Sequence, residues 1–377
     1  MRAAYFVHDL TDPAVHRRAR MLTAAGASLT VLGFRRTGRT PEDVSGAPVI
    51  DLGRTHDARL AHRVLSAGGW IARARALAPM ITGADAIIAR NLEMLAIAAA
   101  VRRAAGSSAP LVYECLDIHR LMLAAGAKGA ALRWLERRLL GASDALIFSS
   151  PAFLEAYFAP RQGVGQTARP EPLLIENKVL TLDAPPPVHA QRPSGRPWRI
   201  GWFGMIRCRR SVEVLSALAA RRPGEIEVVI RGRPSPAVFP DFEAEVAGRP
   251  GLIWGGPYQP SDLPELYRGV HFTWTPDWYE DGLNSNWLLP NRLYEGGLSG
   301  TVPIARRGVE TGRWLEARGL GVLFDDPVAE LAAFFDGLDE AGYRRLEAAS
   351  AAADPSLFAA DRAECARLVD TLERLAA

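Results

Sequence analysis

Short apolar runs alternate with helix-length segments along almost the whole chain, and the alternation breaks once, at Asp183-Ala-Pro-Pro-Pro-Val-His-Ala-Gln-Arg-Pro-Ser-Gly-Arg-Pro. That pattern constrains the fold more than any other feature. Proline fixes φ and lacks an N–H, so a stretch this rich in Pro and Gly continues neither a helix nor a central strand; 183–197 reads as an interdomain linker. Before it, strands are predicted at 3–8, 28–33, 86–89, 111–115, 145–149 and 173–177, with helices over 13–25, 93–104 and 130–140. After it, strands are predicted at 198–204, 226–231, 252–254, 271–275 and 302–305, with helices over 211–221, 261–268 and 291–298. Apolar runs without polar alternation belong to strands covered on both faces, hence to parallel sheets wrapped by helices. A chain of 377 residues also exceeds what one core usually supports. The expected fold class is α/β, two Rossmann-like doubly wound domains facing across a cleft, at 1–182 and 198–360. Residues 361–377 are predicted as an amphipathic helix, with Cys365, Leu368, Leu372 and Leu375 on one side, that can pack back on the N-terminal domain.

Composition narrows the function classes. With 48% hydrophobic and 23% charged residues, the chain is neither disordered nor fibrous. Cys115, Cys208 and Cys365 have no metal-ligand spacing and fit reduced thiols in a cytoplasmic protein. No secretory signal is read at the N-terminus, and no apolar stretch reaches the roughly 18–20 residues of a membrane span. Of the net +3, about +8 falls on residues 1–195 and about −5 on the rest. A basic N-terminal half suits an anionic partner, so contact with the inner face of a membrane is one expectation and an arginine-rich surface the other. Trp134 with Arg133, Arg137 and Arg138 marks a helix open to the same two readings. Nothing points to nucleic acid.

The chemistry-bearing residues concentrate in the second half. Pro290-Asn-Arg292-Leu-Tyr-Glu295-Gly-Gly-Leu-Ser-Gly300-Thr-Val-Pro303 reads as a loop entering a helix, with Arg292 and Glu295 three apart on one face. The preceding Asp281-Gly-Leu-Asn284-Ser285-Asn286 is rich in turn formers that aim N–H groups at an anion, and a helix N-terminus favours phosphate. A second cluster, Gly204-Met-Ile-Arg207-Cys-Arg-Arg210, sits at a strand-to-helix junction. Arginines there can make charge-assisted bonds to a phosphate. In the first half, Asp117 and His119 end one predicted strand, Asn91 another, and His8 the first. Trp274, Trp278 and Trp287 suit either a sugar pocket or the core.

The 290–303 stretch resembles the donor motif of family 4 glycosyltransferases, Pro-x-Lys-x-x-Glu-(Ala/Gly)-x-(Ala/Ser)-x-Gly-x-Pro-Val, with Arg292 in place of Lys. The resemblance implies the GT-B fold and sugar transfer from a nucleoside diphosphate donor (a UDP- or GDP-sugar favoured) to an acceptor hydroxyl, without a bound metal or other cofactor. The acceptor it implies is a glycan or lipid-linked glycan, in cell-surface polysaccharide or glycolipid assembly. It implies that Glu295 binds the ribose, that Asn284, Ser285 and Asn286 face phosphates and sugar, and that Arg210, six residues after Gly204, neutralises the diphosphate with Arg207. Arg231 and Tyr258 correspond to the turns flanking the base. Asp117 and His119 become the candidates for acting on the acceptor hydroxyl or orienting the sugars, with His8 and Asn91 on the acceptor side. The family's second Glu, eight residues before Glu295, is here Trp287, and His8-Asp9-Leu-Thr-Asp-Pro stands where a glycine pair is usual. A non-catalytic binding relative and a same-fold nucleotide-sugar epimerase are the alternatives. A nicotinamide oxidoreductase is disfavoured, because no Gly-x-Gly-x-x-Gly follows the first strand.

Overall fold

In the computed structural model the chain forms two compact units, residues 1–176 with 360–377, and residues 177–359. Residues 1–36, 38–55, 60–183, 192 and 195–377 are described, with backbone only over 60–64. Most of the proline-rich segment expected as a linker lies outside the described residues.

The first unit is built on a sheet of eight strands: β1 (Arg2–Val7), β2 (Ser28–Arg35), β3 (Asp43–Val44), β4 (Ala47–Arg54), β5 (Ala86–Arg90), β6 (Leu111–Cys115), β7 (Ala145–Phe148) and β8 (Glu171–Leu174). Their order is β3-β4-β2-β1-β5-β6-β7-β8. Every neighbouring pair is parallel except β3–β4. Tyr5, Phe6, Val7, Ile87, Ile88, Leu146 and Ile147 are fully buried, as strands covered on both faces require. The helices used below are α1 (Pro13–Ala24), α2 (Leu60–Ala72), α3 (Leu92–Ala104), α4 (Arg120–Leu123) and α5 (Ala127–Leu140). Asp12 caps α1 by accepting from the Ala14 N–H at 2.8 Å, one residue before Pro13, whose missing N–H costs nothing at a helix start. Leu154–Gln162 winds as a π-helix containing Pro160. The sequence gives no periodic signal for such a winding.

The second unit opens with β9 (Val179–Leu180), whose Val179 N–H donates to the Phe358 carbonyl at 2.9 Å. Its main sheet has β10 (Trp198–Ile206), β11 (Ile226–Pro234), β12 (Leu252–Trp254), β13 (Phe272–Trp274), β14 (Val302–Arg306) and β15 (Val322–Phe324), in the order β12-β11-β10-β13-β14-β15. All pairs are parallel. Strand order reverses between β10 and β13, the kind of switch point where loops leave in opposite directions and open a crevice at the strand C-termini. Three helices matter there: α6 (Arg209–Arg221), α7 (Asn284–Trp287) and α8 (Asn291–Leu298). The core holds Trp198, Trp202, Phe272 and Trp274, so Trp274 is a packing residue.

The last helix, α9 (Arg362–Ala376), belongs to the first unit, where it lies against α1 and β5. Asp361 caps it, and Cys365, Leu368, Val369 and Leu372 are buried. All three cysteines are buried and free. Among the described residues no helix is long and apolar enough to cross a membrane.

Candidate functional site

At the switch point of the second unit, β10 pairs Gly204 with Gly232 of β11. Both have positive φ, +116° and +142°, and a Cβ on Gly232 would lie 1.8 Å from the Gly204 carbonyl oxygen. Only glycine permits that approach. It lets β10 end in a turn that delivers Arg207 and Arg210 to the crevice edge. Arg207 donates from Nε and Nη2 to Asp277 Oδ2, at 3.2 and 3.1 Å, and lies over the Tyr279 ring. Arg210 lies over Trp278 at 5.0 Å, and Arg306, from the end of β14, lies over the same ring at 5.1 Å. Arg306 also pairs with Asp281 at 2.7 Å. Three guanidiniums thus meet the loop that follows β13, two of them paired with its carboxylates.

Residues 284–286 form the short α7 in this loop. Asn284 is buried and donates to Glu280 Oε2 at 2.8 Å; Ser285 Oγ accepts from the Glu280 N–H at 2.9 Å; Asn286 Oδ1 accepts from the Gly282 N–H at 3.0 Å. These contacts shape the loop. Trp287 is half-buried. Helix α8 packs closely on β13: a Cβ on Gly296 would meet Thr273 Oγ1 at 2.4 Å. Arg292 Nη2 reaches the Thr275 and Pro276 carbonyls at 2.8 and 3.2 Å, while its Nε is buried without a hydrogen-bond partner among the described residues. Burial, with the Arg207 charge, pulls its pKa down despite Asp277. Glu295 accepts a 3.1 Å hydrogen bond from the buried Tyr267 hydroxyl. Tyr258 is pushed up to about 12 by burial and then by the Glu295 charge. Arg231 is engaged by its own turn, donating to the Gly256 and Pro257 carbonyls at 3.0 and 2.8 Å.

The first-unit residues singled out in the sequence converge. His8, Asn91, Asp117 and His119 all line one cavity of about 380 Å³ with a largely apolar wall that includes Ile71, Leu92 and Met122. His8 and Asn91 follow β1 and β5, again at a reversal of strand order. His8 Nε2 lies 3.3 Å from Asp12 Oδ2, and its Nδ1 is buried without a hydrogen-bond partner among the described residues. Asn91 has φ 72° and ψ 162°, far from ordinary L-residue conformations. Asp117 and His119 are exposed at the rim, and His119 Nδ1 caps α4 through the Leu121 N–H at 3.3 Å.

Two buried carboxylates of the first unit, Glu136 at the cavity wall and Glu114, are announced by no spacing in the sequence. Glu136 accepts from Tyr113, Tyr157 and Gln162, at 3.1, 2.6 and 2.6 Å, and burial raises its pKa against those bonds. Glu114 accepts from Tyr5, Arg18 and Arg90, at 2.6, 2.7 and 2.9 Å. Burial alone would raise this carboxyl, but Arg90 and Arg18 hold it at about 2. On α5, Trp134 is 62% exposed, while Arg133 and Arg137 bond to backbone carbonyls of Met122, Ala124 and Arg161. Among the described residues no group of His, Cys, Asp and Glu is arranged to hold a metal.

Residues 11–169 match the glycosyl transferase 4-like domain. Over its full length the chain is 42% identical to the succinoglycan biosynthesis protein ExoL of Rhizobium meliloti (strain 1021), covering 94% of that relative. Among solved structures it is similar to sucrose-phosphate synthase (tll1590) from Thermosynechococcus elongatus (TM-score 0.74, 16% identity, 99% of this chain and 98% of that one). It is also similar to Anabaena Alr3699/HepE in complex with UDP (TM-score 0.70, 14% identity, 99% and 100%). A third is the lipopolysaccharide outer core galactosyltransferase WaaB (TM-score 0.62, 15% identity, 99% of each). At such identities the likeness establishes the fold, GT-B with two Rossmann-like domains.

Proposed function

The chain belongs to the glycosyl transferase 4-like glycosyltransferases, and from that premise we propose that it moves a hexosyl unit from a nucleoside diphosphate donor to an acceptor hydroxyl in the assembly of a cell-surface polysaccharide or glycolipid. The carrying observation is that Gly204, Arg207, Arg210 and the Asp277–Asn286 loop share the switch point of the second unit. Arginines gathered there suit the diphosphate, and in our reading they replace a metal ion as the leaving group departs. Glu295, held by Tyr267, binds the ribose, with Arg292 fixing the loop before it. Asn284, Ser285 and Asn286 face the phosphates and the sugar, and Arg231 and Tyr258 flank the base. The UDP complex of HepE and the polysaccharide role in ExoL's name support a uridine nucleotide and a glycan acceptor, which in our reading is lipid-linked or free. In the first unit, His8 and Asn91 hold the acceptor, and Asp117 and His119 act on its hydroxyl or orient the sugars. Exposed Trp134 on a basic helix supports peripheral contact with the cytoplasmic face of a membrane.

The test is thermal denaturation with UDP, GDP, dTDP, ADP and CMP, with and without EDTA, on wild type and Glu295→Ala. A nucleotide at 100 times its Kd adds about 2.7 kcal/mol. The expected result is a shift by one diphosphate, insensitive to EDTA and lost in Glu295→Ala. A folded protein that no nucleotide shifts would sink the reading, and a shift that vanishes with EDTA would sink metal independence.

A further inference from the structure

We propose that Asp277 is a positioning residue for the donor diphosphate, acting through Arg207; this rests on the reading above that Arg207 meets the diphosphate. Asp277 was not legible as a site residue, because a single Asp between Pro276 and Trp278 carries no spacing signature and its partner lies 70 positions earlier. The structure makes it distinct. Asp277 is 8% exposed, and one oxygen, Oδ2, takes both Nε and Nη2 of Arg207. Its other oxygen, Oδ1, accepts from the Tyr279 N–H at 2.8 Å, so the carboxylate is fixed by its own loop before it meets the arginine.

That loop is itself anchored on two sides. Arg292 of α8 holds the Thr275 and Pro276 carbonyls, and the Trp278 N–H donates to Cys208 Sγ at 3.2 Å, beside the start of α6. Asp277 is therefore the fixed member of the pair, and the long arginine side chain is the one being oriented. A surface Arg–Asp pair is worth little, because solvent screens it and side-chain entropy opposes it. Here the carboxylate is desolvated and the guanidinium also rests on the Tyr279 ring, 5.1 Å from its centroid. Occupying the Nε–Nη2 edge restricts which edge of the fork meets a phosphate. The pair links the cluster after β10 to the loop after β13, so the two motifs become one pre-organised diphosphate site.

The experiment is calorimetric titration of the full chain with UDP and UMP, on wild type, Asp277→Asn, Arg207→Ala and the double variant. If GDP is the better ligand, GDP and GMP are used. Asp277→Asn is expected to weaken UDP roughly 10- to 100-fold, the size of a lost charge-assisted bond, and UMP much less. The double variant is expected to bind UDP no more weakly than Arg207→Ala, since Asp277 acts through that side chain. Equal weakening of UDP and UMP, wild-type UDP affinity in Asp277→Asn, or additive losses in the double variant would each overturn the proposal. If Arg207→Ala weakens UDP while Asp277→Asn does not, only the positioning role falls. If neither does, or no diphosphate binds, the arginine reading falls with it. Should Asp277→Asn fail to fold, Asp277→Glu replaces it, because the longer carboxylate displaces the guanidinium it holds while leaving the phosphate-binding arginine in place. The same selective loss supports the proposal, and wild-type UDP affinity overturns it.

Discussion

Among the described residues, Asn91 and Ser45 are the non-glycine residues with positive φ, and Asn91 stands beside the cavity. Its φ of 72° with ψ of 162° is a region that glycine enters freely and other residues enter under strain of roughly 1–3 kcal/mol. The conformation persists because the ends are pinned: the Asn91 N–H donates to the Glu114 carbonyl at 3.0 Å, and its carbonyl accepts from Leu95 at 3.0 Å to start α3. Strain held this firmly beside a cavity fits a side chain retained for use. Asn91→Gly is expected to raise stability in urea denaturation by about 1 kcal/mol, the relief of strain being partly offset by the entropy of glycine in the unfolded chain. Transfer to acceptor should fall in the same variant. A destabilised Asn91→Gly would show that the side chain carries structure instead. The strain was not visible beforehand: the sequence marks Asn91 as a polar residue ending a strand, and the family resemblance puts it on the acceptor side, but neither shows its backbone. Arg207 and Arg210 were legible because a cluster of like charges at a strand-to-helix junction is a local feature. Asp277 and Tyr267 were not, because what matters about each is a partner distant in the chain.

Between elements of the first unit, Glu114 of β6 is a buried hub that joins β1 through Tyr5, α1 through Arg18 and β5 through Arg90. Its carboxyl lies below the ordinary glutamate value of 4.5, at about 2, so the stability it confers is fully present above pH about 4.5 and is lost as pH falls towards 2. Melting temperature should fall across that window more steeply in wild type than in Glu114→Gln. At neutral pH the variant should be less stable by roughly 3–5 kcal/mol, since two buried arginines lose their carboxylate. Parallel pH profiles would contradict this account. The strands themselves were legible: predicted and observed β1, β6 and β12 differ by at most one residue at either end. Two of the elements that were missed have a physical reason. β4 mixes Pro48, Asp51 and Gly53 among its apolar residues, and the π-helix follows no period that an amphipathic reading detects. Glu114 sits inside an apolar strand, and its partners Tyr5, Arg18 and Arg90 lie far from it in the chain, so no spacing marks it as a hub.

Across the whole molecule, the chain leaves the first unit after Glu176 and returns at Ala360. Helix α9 then covers α1 and β5 with four buried side chains, and Arg374 pairs with Glu171 at 2.7 Å. Burying side chains of that kind contributes about 1.5–3 kcal/mol each, comparable in sum to the 5–15 kcal/mol that holds a typical domain together. A chain stopped after Ala359 is expected to lose cooperative unfolding and protease resistance in residues 1–176, while residues 177–359 expressed alone melt cooperatively. A protease-resistant 1–176 in the shortened chain would overturn that expectation. The discontinuity also has a consequence in time. During synthesis at roughly 5–20 residues per second, β1 to β8 emerge first, yet the helix that covers α1 and β5 is not made until the entire second unit has been translated. The half made first is therefore completed last, and for tens of seconds the nascent chain carries an open apolar face that a chaperone on the ribosome would meet before α9 does.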